Sequence, residues 1–138
     1  MSKEFYSLEE IQKYYDKKSN TYVFKENDEY IDLVIFNFDL NVIANIIAKY
    51  INANDIKAHN INVWDIKAHN INAWDIISCD IKAYNIIARD INAYNIIARD
   101  ISYHAVCFAY NNIKCKTIKG GKENSKHFVL DGKIEVEE

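Results

Sequence analysis

Residues 83–101 read AYNIIARDINAYNIIARDI, and the spacing of the isoleucines in this stretch decides the fold. Ile86, Ile91, Ile96 and Ile101 stand five apart. The series runs back unbroken through Ile81, Ile76, Ile71, Ile66, Ile61, Ile56 and Ile51 to Ile46, twelve in all. Two residues after each comes a small or apolar residue, mostly Ala, with Val63 and Ser78 as variants and Tyr103 as the single break. Before each stands Asn or Asp, from Asn45 to Asp100, except at Tyr50. The unit is [D/N]-I-x-A-x.

Period five suits neither a helix, which would scatter the isoleucines around its circumference, nor a long strand, where residues five apart face opposite ways. A short strand followed by a corner satisfies it. In I-x-A the Ile and Ala point inward together and the residue between them points out. The next two residues turn the corner, where Asn and Asp side chains bond main-chain groups. That device is needed, because the chain has no proline and three glycines. Four such sides are expected to close a square coil of about 20 residues, stacked at roughly 4.8 Å. A solenoid with another number of sides is the alternative.

The stretch from Asn45 to Ser102 resembles the pentapeptide-repeat proteins, although here one residue separates Ala from the following Asp or Asn. The resemblance implies a right-handed quadrilateral β-helix. It also implies a non-enzymatic protein that binds a macromolecule, since some members bind type II topoisomerases by imitating DNA. The repeat argues against imitation of a duplex: six Asp are balanced by six Lys and Arg, without the charge density of a nucleic acid.

Outside the repeat, two caps are expected. Ser7-Leu8-Glu9-Glu10 reads as a capping box opening a helix to about Lys17, followed by strands over 22–24 and 30–40. Residues 1–44 thus form a small α/β cap, 45–112 the solenoid, and 113–138 a second cap. In that last segment Asp131-Gly132 is read as a hairpin turn, and Val106 is placed in the isoleucine column. The N-terminal segment holds nine acids against five lysines. Its Glu26, Asp28, Glu29 and Asp32 form a candidate acidic surface for a basic groove.

The exterior alternates with period ten. Trp64, Trp74, Tyr84 and Tyr94 fall in one set, with His59, His69, Cys79, Arg89 and Arg99 in the other. The candidate interaction face is therefore Trp64, Trp74, Tyr84, Tyr94, Ile77, Ile87, Ile97, Arg89 and Arg99, since exposed aromatic and branched side chains anchor interfaces. Stacking of these aromatics along the rod is the simpler alternative. In a 20-residue coil His59 lies over Cys79 and Arg99, so His59 and His69 share no metal ion. No cofactor is expected, and no nucleophile elbow, phosphate loop or HExxH occurs.

Three cysteines and no signal-like start fit a reduced cytoplasmic protein with no membrane span. A net charge of −3 does not point to direct nucleic-acid binding. The composition, rich in Ile, Asn, Lys and Tyr, suggests an AT-rich bacterium or one of its mobile elements. The expected function is inhibition of a host nucleic-acid-processing enzyme or defence complex, in the manner of a phage anti-CRISPR. A structural or self-assembling rod without a separate target and a topoisomerase binder are the alternatives, and a homodimer is among the expected partnerships.

Overall fold

The computed structural model describes residues 2–137. The chain is mostly strand and winds into a β-solenoid of about six turns built on parallel pairing. Through the repeat its register steps by fifteen residues. Ile61 lies beside Ile46 and Ile76, Ile66 beside Ile51 and Ile81, and Ile71 beside Ile56 and Ile86. Each turn therefore holds three five-residue units, and the expected square coil of about 20 residues is corrected to a three-sided coil. The unit length sets the length of a side. The number of sides depends on how sharply the backbone turns at each corner, which period five does not encode.

The three sides close on a narrow lumen. The first side turns in Ile46, Ile61, Ile76 and Ile91, the second Ile51, Ile66, Ile81 and Ile96, and the third Ile56, Ile71, Ile86 and Ile101. None of the twelve is more than 2 % exposed. The residues two further on are buried too, apart from the half-buried Ala83. Ser78, in an alanine slot, satisfies its hydroxyl by donating to the carbonyls of Trp64 and Asp80. The Asn and Asp positions tie successive turns together at the corners. Asp65 Oδ1 accepts the Asp80 N–H at 3.2 Å, and Asn45 Oδ1 accepts the Asn60 N–H at 3.2 Å. At another corner Asn85 donates to Asn70, which donates to Asp55.

The N-terminal segment extends this solenoid. Thr21–Val23, Leu33–Phe36 and Leu40–Asn41 pair in parallel with the first repeat turn, setting Tyr22 beside Ile46, Val34 beside Ile51 and Leu40 beside Ile56. Ser2–Phe5 adds one more strand outside Leu33–Phe36. Phe36 stands beside Ala53 in an alanine slot, and Phe5, Tyr14, Phe24 and Phe36 pack together to close the lumen. The expected helix is a 3-10 helix over Glu9–Tyr14 that stops short of Lys17, because the chain extends at Tyr15–Asp16 to pair with Thr21–Val23. The expected capping box does not form either: Leu8 is the N-cap with no side-chain cap bond, and Glu10 accepts the Tyr6 N–H at 2.8 Å instead.

Two further corrections concern the C-terminal end. Cys107, fully buried, takes the isoleucine slot expected of Val106, which is 38 % exposed. Corners of three residues instead of two follow Tyr103 and Ala109, so Val106 donates to Asp90 and Thr117 lies beside Asp100. The expected hairpin does not form. Lys126–Val129 and Ile134–Val136 each pair in parallel with the preceding turn and make a last, partial turn. Gly132 sits at its corner without a positive φ. Glycine is required there because a Cβ would lie 1.8 Å from the Asn111 carbonyl oxygen.

Candidate interaction surface

Each turn stacks on the last, so outward residues fall into columns fifteen apart. The first corner, between the first and second sides, stacks Lys49, Trp64, Cys79 and Tyr94, then Tyr110 after the enlarged corner. The second stacks Asn54, His69, Tyr84 and Arg99, and the third His59, Trp74 and Arg89. Main-chain bonds hold these columns: His69 donates to Asn54 at 2.8 Å, Trp74 to His59 at 2.6 Å, and Arg89 to Trp74 at 2.8 Å.

A ten-residue alternation wound on a fifteen-residue turn sets most of the aromatics against a cation or an imidazole of a neighbouring turn. Trp74 stacks on His59 at 3.9 Å and 7°, with the Arg89 guanidinium 4.8 Å from its ring. Tyr84 lies 5.1 Å from His69, and Lys49 lies 5.2 Å from Trp64. His59 therefore meets Trp74, and not Cys79 and Arg99 as a 20-residue coil requires.

The nine candidate face residues consequently do not share a face. Trp64 and Tyr94 lie at the first corner, beside Ile77 on the first side. Trp74 and Arg89 belong to the third corner, Tyr84 and Arg99 to the second. Ile97 projects from the second side and Ile87 from the third. Ile77, Ile87 and Ile97 are all about half exposed, at 53 %, 53 % and 48 %.

The first side and first corner together make one uncharged stripe. The side contributes Ile47, Asn62, Ile77 and Asn92, then Phe108 and Phe128, which lie beside each other with rings 4.9 Å apart. The corner contributes Trp64, Cys79, Tyr94 and Tyr110, the last two with rings 4.8 Å apart, and Leu130 follows on the last turn. From Trp64 to Leu130 the stripe spans four turn spacings, roughly 19 Å at about 4.8 Å each. Trp64, Tyr94 and Leu130 are 57 %, 49 % and 67 % exposed.

Along its middle turns the first charges on either edge are acidic. Asp75 and Asp90 stand on one edge, Asp65 and Asp80 on the other. Burial, then the neighbouring Asp80 carboxylate, pushes the Asp65 pKa up. Asp75 Oδ1 is enclosed without a hydrogen-bond partner among the described residues. Reasoning from sequence missed Phe108, Tyr110, Phe128 and Leu130, because the two enlarged corners interrupt the period that would have aligned them.

The second side shares Asp65 and Asp80 with the stripe at its first edge and turns basic beyond them. Lys67 stacks on Lys82, and with Arg99, His69, Tyr84 and Ile97 they line an open groove of about 450 Å³.

The acidic candidates of the N-terminal segment are partly neutralised. Glu26 accepts hydrogen bonds from Lys3 and Tyr14 and lies 3.5 Å from Lys13; together these hold its pKa down to about 2. Asp32 pairs with Lys49 at 3.7 Å. Asp28 and Glu29 are exposed, Asp28 in the left-handed turn of a small hairpin. Cys107 and Cys115 are buried, and burial pushes the Cys107 thiol up to about 12. His127, beside Cys107 in register, bonds the Tyr103 hydroxyl at 2.6 Å. Among the described residues no three potential metal ligands come together, and no helix is long and apolar enough to cross a membrane.

No family model, curated protein or solved structure matches this chain.

Proposed function

We propose that this protein is a non-enzymatic binding rod that seats a protein partner on the uncharged stripe. One observation carries the reading: five large aromatic or aliphatic side chains, Trp64, Ile77, Tyr94, Phe128 and Leu130, stay about half exposed or more along one edge of a rigid sheet. Trp74 and Tyr84 are as exposed but stand apart at other corners, each between histidine and arginine positions of the neighbouring turns. Contiguous apolar surface with a polar rim is the usual anatomy of an interface centre. Antagonism of a host nucleic-acid enzyme or defence complex is the form of binding that the pentapeptide resemblance implies. The three-sided coil and the balanced charge of the repeat add nothing to that narrower form.

Capture from a bacterial lysate tests the reading. Wild type and a Trp74→Ser control are expected to retain the same partner. A Trp64→Ser/Tyr94→Ser/Phe128→Ser variant with an unchanged circular dichroism spectrum is expected to lose it. Equal capture by both variants removes the stripe as the binding surface.

A further inference from the structure

The stripe asks for an occupant with an apolar centre and cationic edges. A second copy meeting it stripe to stripe fits poorly, because both edges are acidic: Asp65 and Asp80, or Asp75 and Asp90, would face their like in any pairing. Anionic lipid fits poorly for the same reason.

One surface of the required chemistry exists on this chain. The groove of the second side is floored by Ala68, Ala83 and Ala98, carries Tyr84 and Ile97, and is bordered by Lys67, Lys82 and Arg99. It is concave where the first corner, with Trp64 and Tyr94, projects. Both surfaces extend over several turns with the same spacing along the rod, and Trp64 and Tyr94 stand two turns apart.

We infer that the stripe of one copy packs into the second-side groove of another, so that the rods associate side by side through two different surfaces. Trp64 and Tyr94 enter the groove against Tyr84 and Ile97. The aspartates at the stripe edge meet Lys67, Lys82 and Arg99 of the neighbouring copy. Every open oligomer keeps one stripe and one groove unfilled at its ends, so the association is open-ended unless the rotation closes a ring. The inference rests on the stripe being an interface, as proposed above, and names its occupant.

The test uses the purified full chain. Light scattering and sedimentation are followed from micromolar to millimolar concentration, for wild type and two variants. Trp64→Ser/Tyr94→Ser removes the stripe, and Lys67→Glu/Lys82→Glu reverses the groove. Wild type is expected to grow in mass with concentration. Each variant alone should need at least about tenfold more protein to associate, as loss of anchors or of charge pairing at an interface implies. The two variants mixed should form a one-to-one dimer and stop there, because each supplies the surface that the other lost.

A strictly monomeric wild type overturns the inference. So does a stripe variant that associates like wild type, which would point to the open strand edges of the last turn, or a mixture that stays monomeric. A monomeric protein that still captures a lysate partner through Trp64 and Tyr94 would end the self-association and leave the binding reading standing.

Discussion

Ile76 and Ile77 are adjacent and chemically identical, yet one is 1 % and the other 53 % exposed. Replacing each by Ala should therefore have unequal consequences. At Ile76 three carbons leave the lumen, a transfer loss of about 2.4 kcal/mol at about 0.8 per methylene. The hole cannot close easily, because inter-strand hydrogen bonds hold the turns above and below, with Ile61 and Ile91, at about 4.8 Å. The total should approach about 3–4 kcal/mol, within the usual range for burying nothing where a branched side chain stood. At Ile77 only partial burial and strand preference are lost, less than about 1 kcal/mol.

The gap of about 2 kcal/mol or more is some thirtyfold in the unfolding equilibrium, well within reach of urea titration followed by circular dichroism. The same pairing recurs on the other two sides. Ile86 and Ile96 are 1 % and 0 % exposed, against 53 % and 48 % for Ile87 and Ile97. All three pairs should behave alike at constant m-value. Comparable losses at Ile76 and Ile77, or a small loss at Ile76, would refute the assignment of inward and outward positions.

Further outcomes follow from the ends of the rod. The Glu26 pKa is lowered from 4.5 to about 2 by Lys3, Tyr14 and Lys13, so its contribution is complete above the unfolded value and is lost as pH falls through 4.5 toward 2. Glu26→Gln should flatten that part of an acid-unfolding curve, and an unchanged curve would count against the cluster. A disulfide reagent in mildly alkaline solution should modify Cys79 quickly and leave Cys107 and Cys115 until denaturant is added, since burial keeps the Cys107 thiol protonated up to about 12. Two fast thiols in the native protein would contradict the buried column. Gly132→Ala forces a Cβ to 1.8 Å from the Asn111 oxygen. Amide exchange at Ile134–Val136 should quicken while that of the central turns stays slow, and uniform protection would show that the corner yields.

The interior was legible because β geometry couples it directly to spacing. An inward Ile followed by an inward small residue two positions later can be read from a single line of text, and the twelve isoleucines of the series occupy the lumen as that pattern requires. The departures have equally specific causes. Val106 was placed one position out because the corner after Tyr103 takes three residues. Asp131-Gly132 has the composition of a hairpin turn, but the same glycine serves a corner that presses on the previous turn. The candidate face was dispersed because alternation every ten residues was wrapped on a turn of the wrong length.

Sequence alone determined which residues face the lumen and which face out, since that depends on local strand alternation and on burial of apolar side chains. Only the tertiary structure decided how many units make a turn. Corner angle is set by backbone conformation and by packing across the lumen, to which a five-residue period is blind. That one number, fifteen, settles which outward side chains become neighbours. It pairs Trp74 with His59, gathers Trp64, Ile77 and Tyr94, and stacks Lys67 on Lys82 along the next side, while the longer last turns bring Phe128 and Leu130 onto the same stripe.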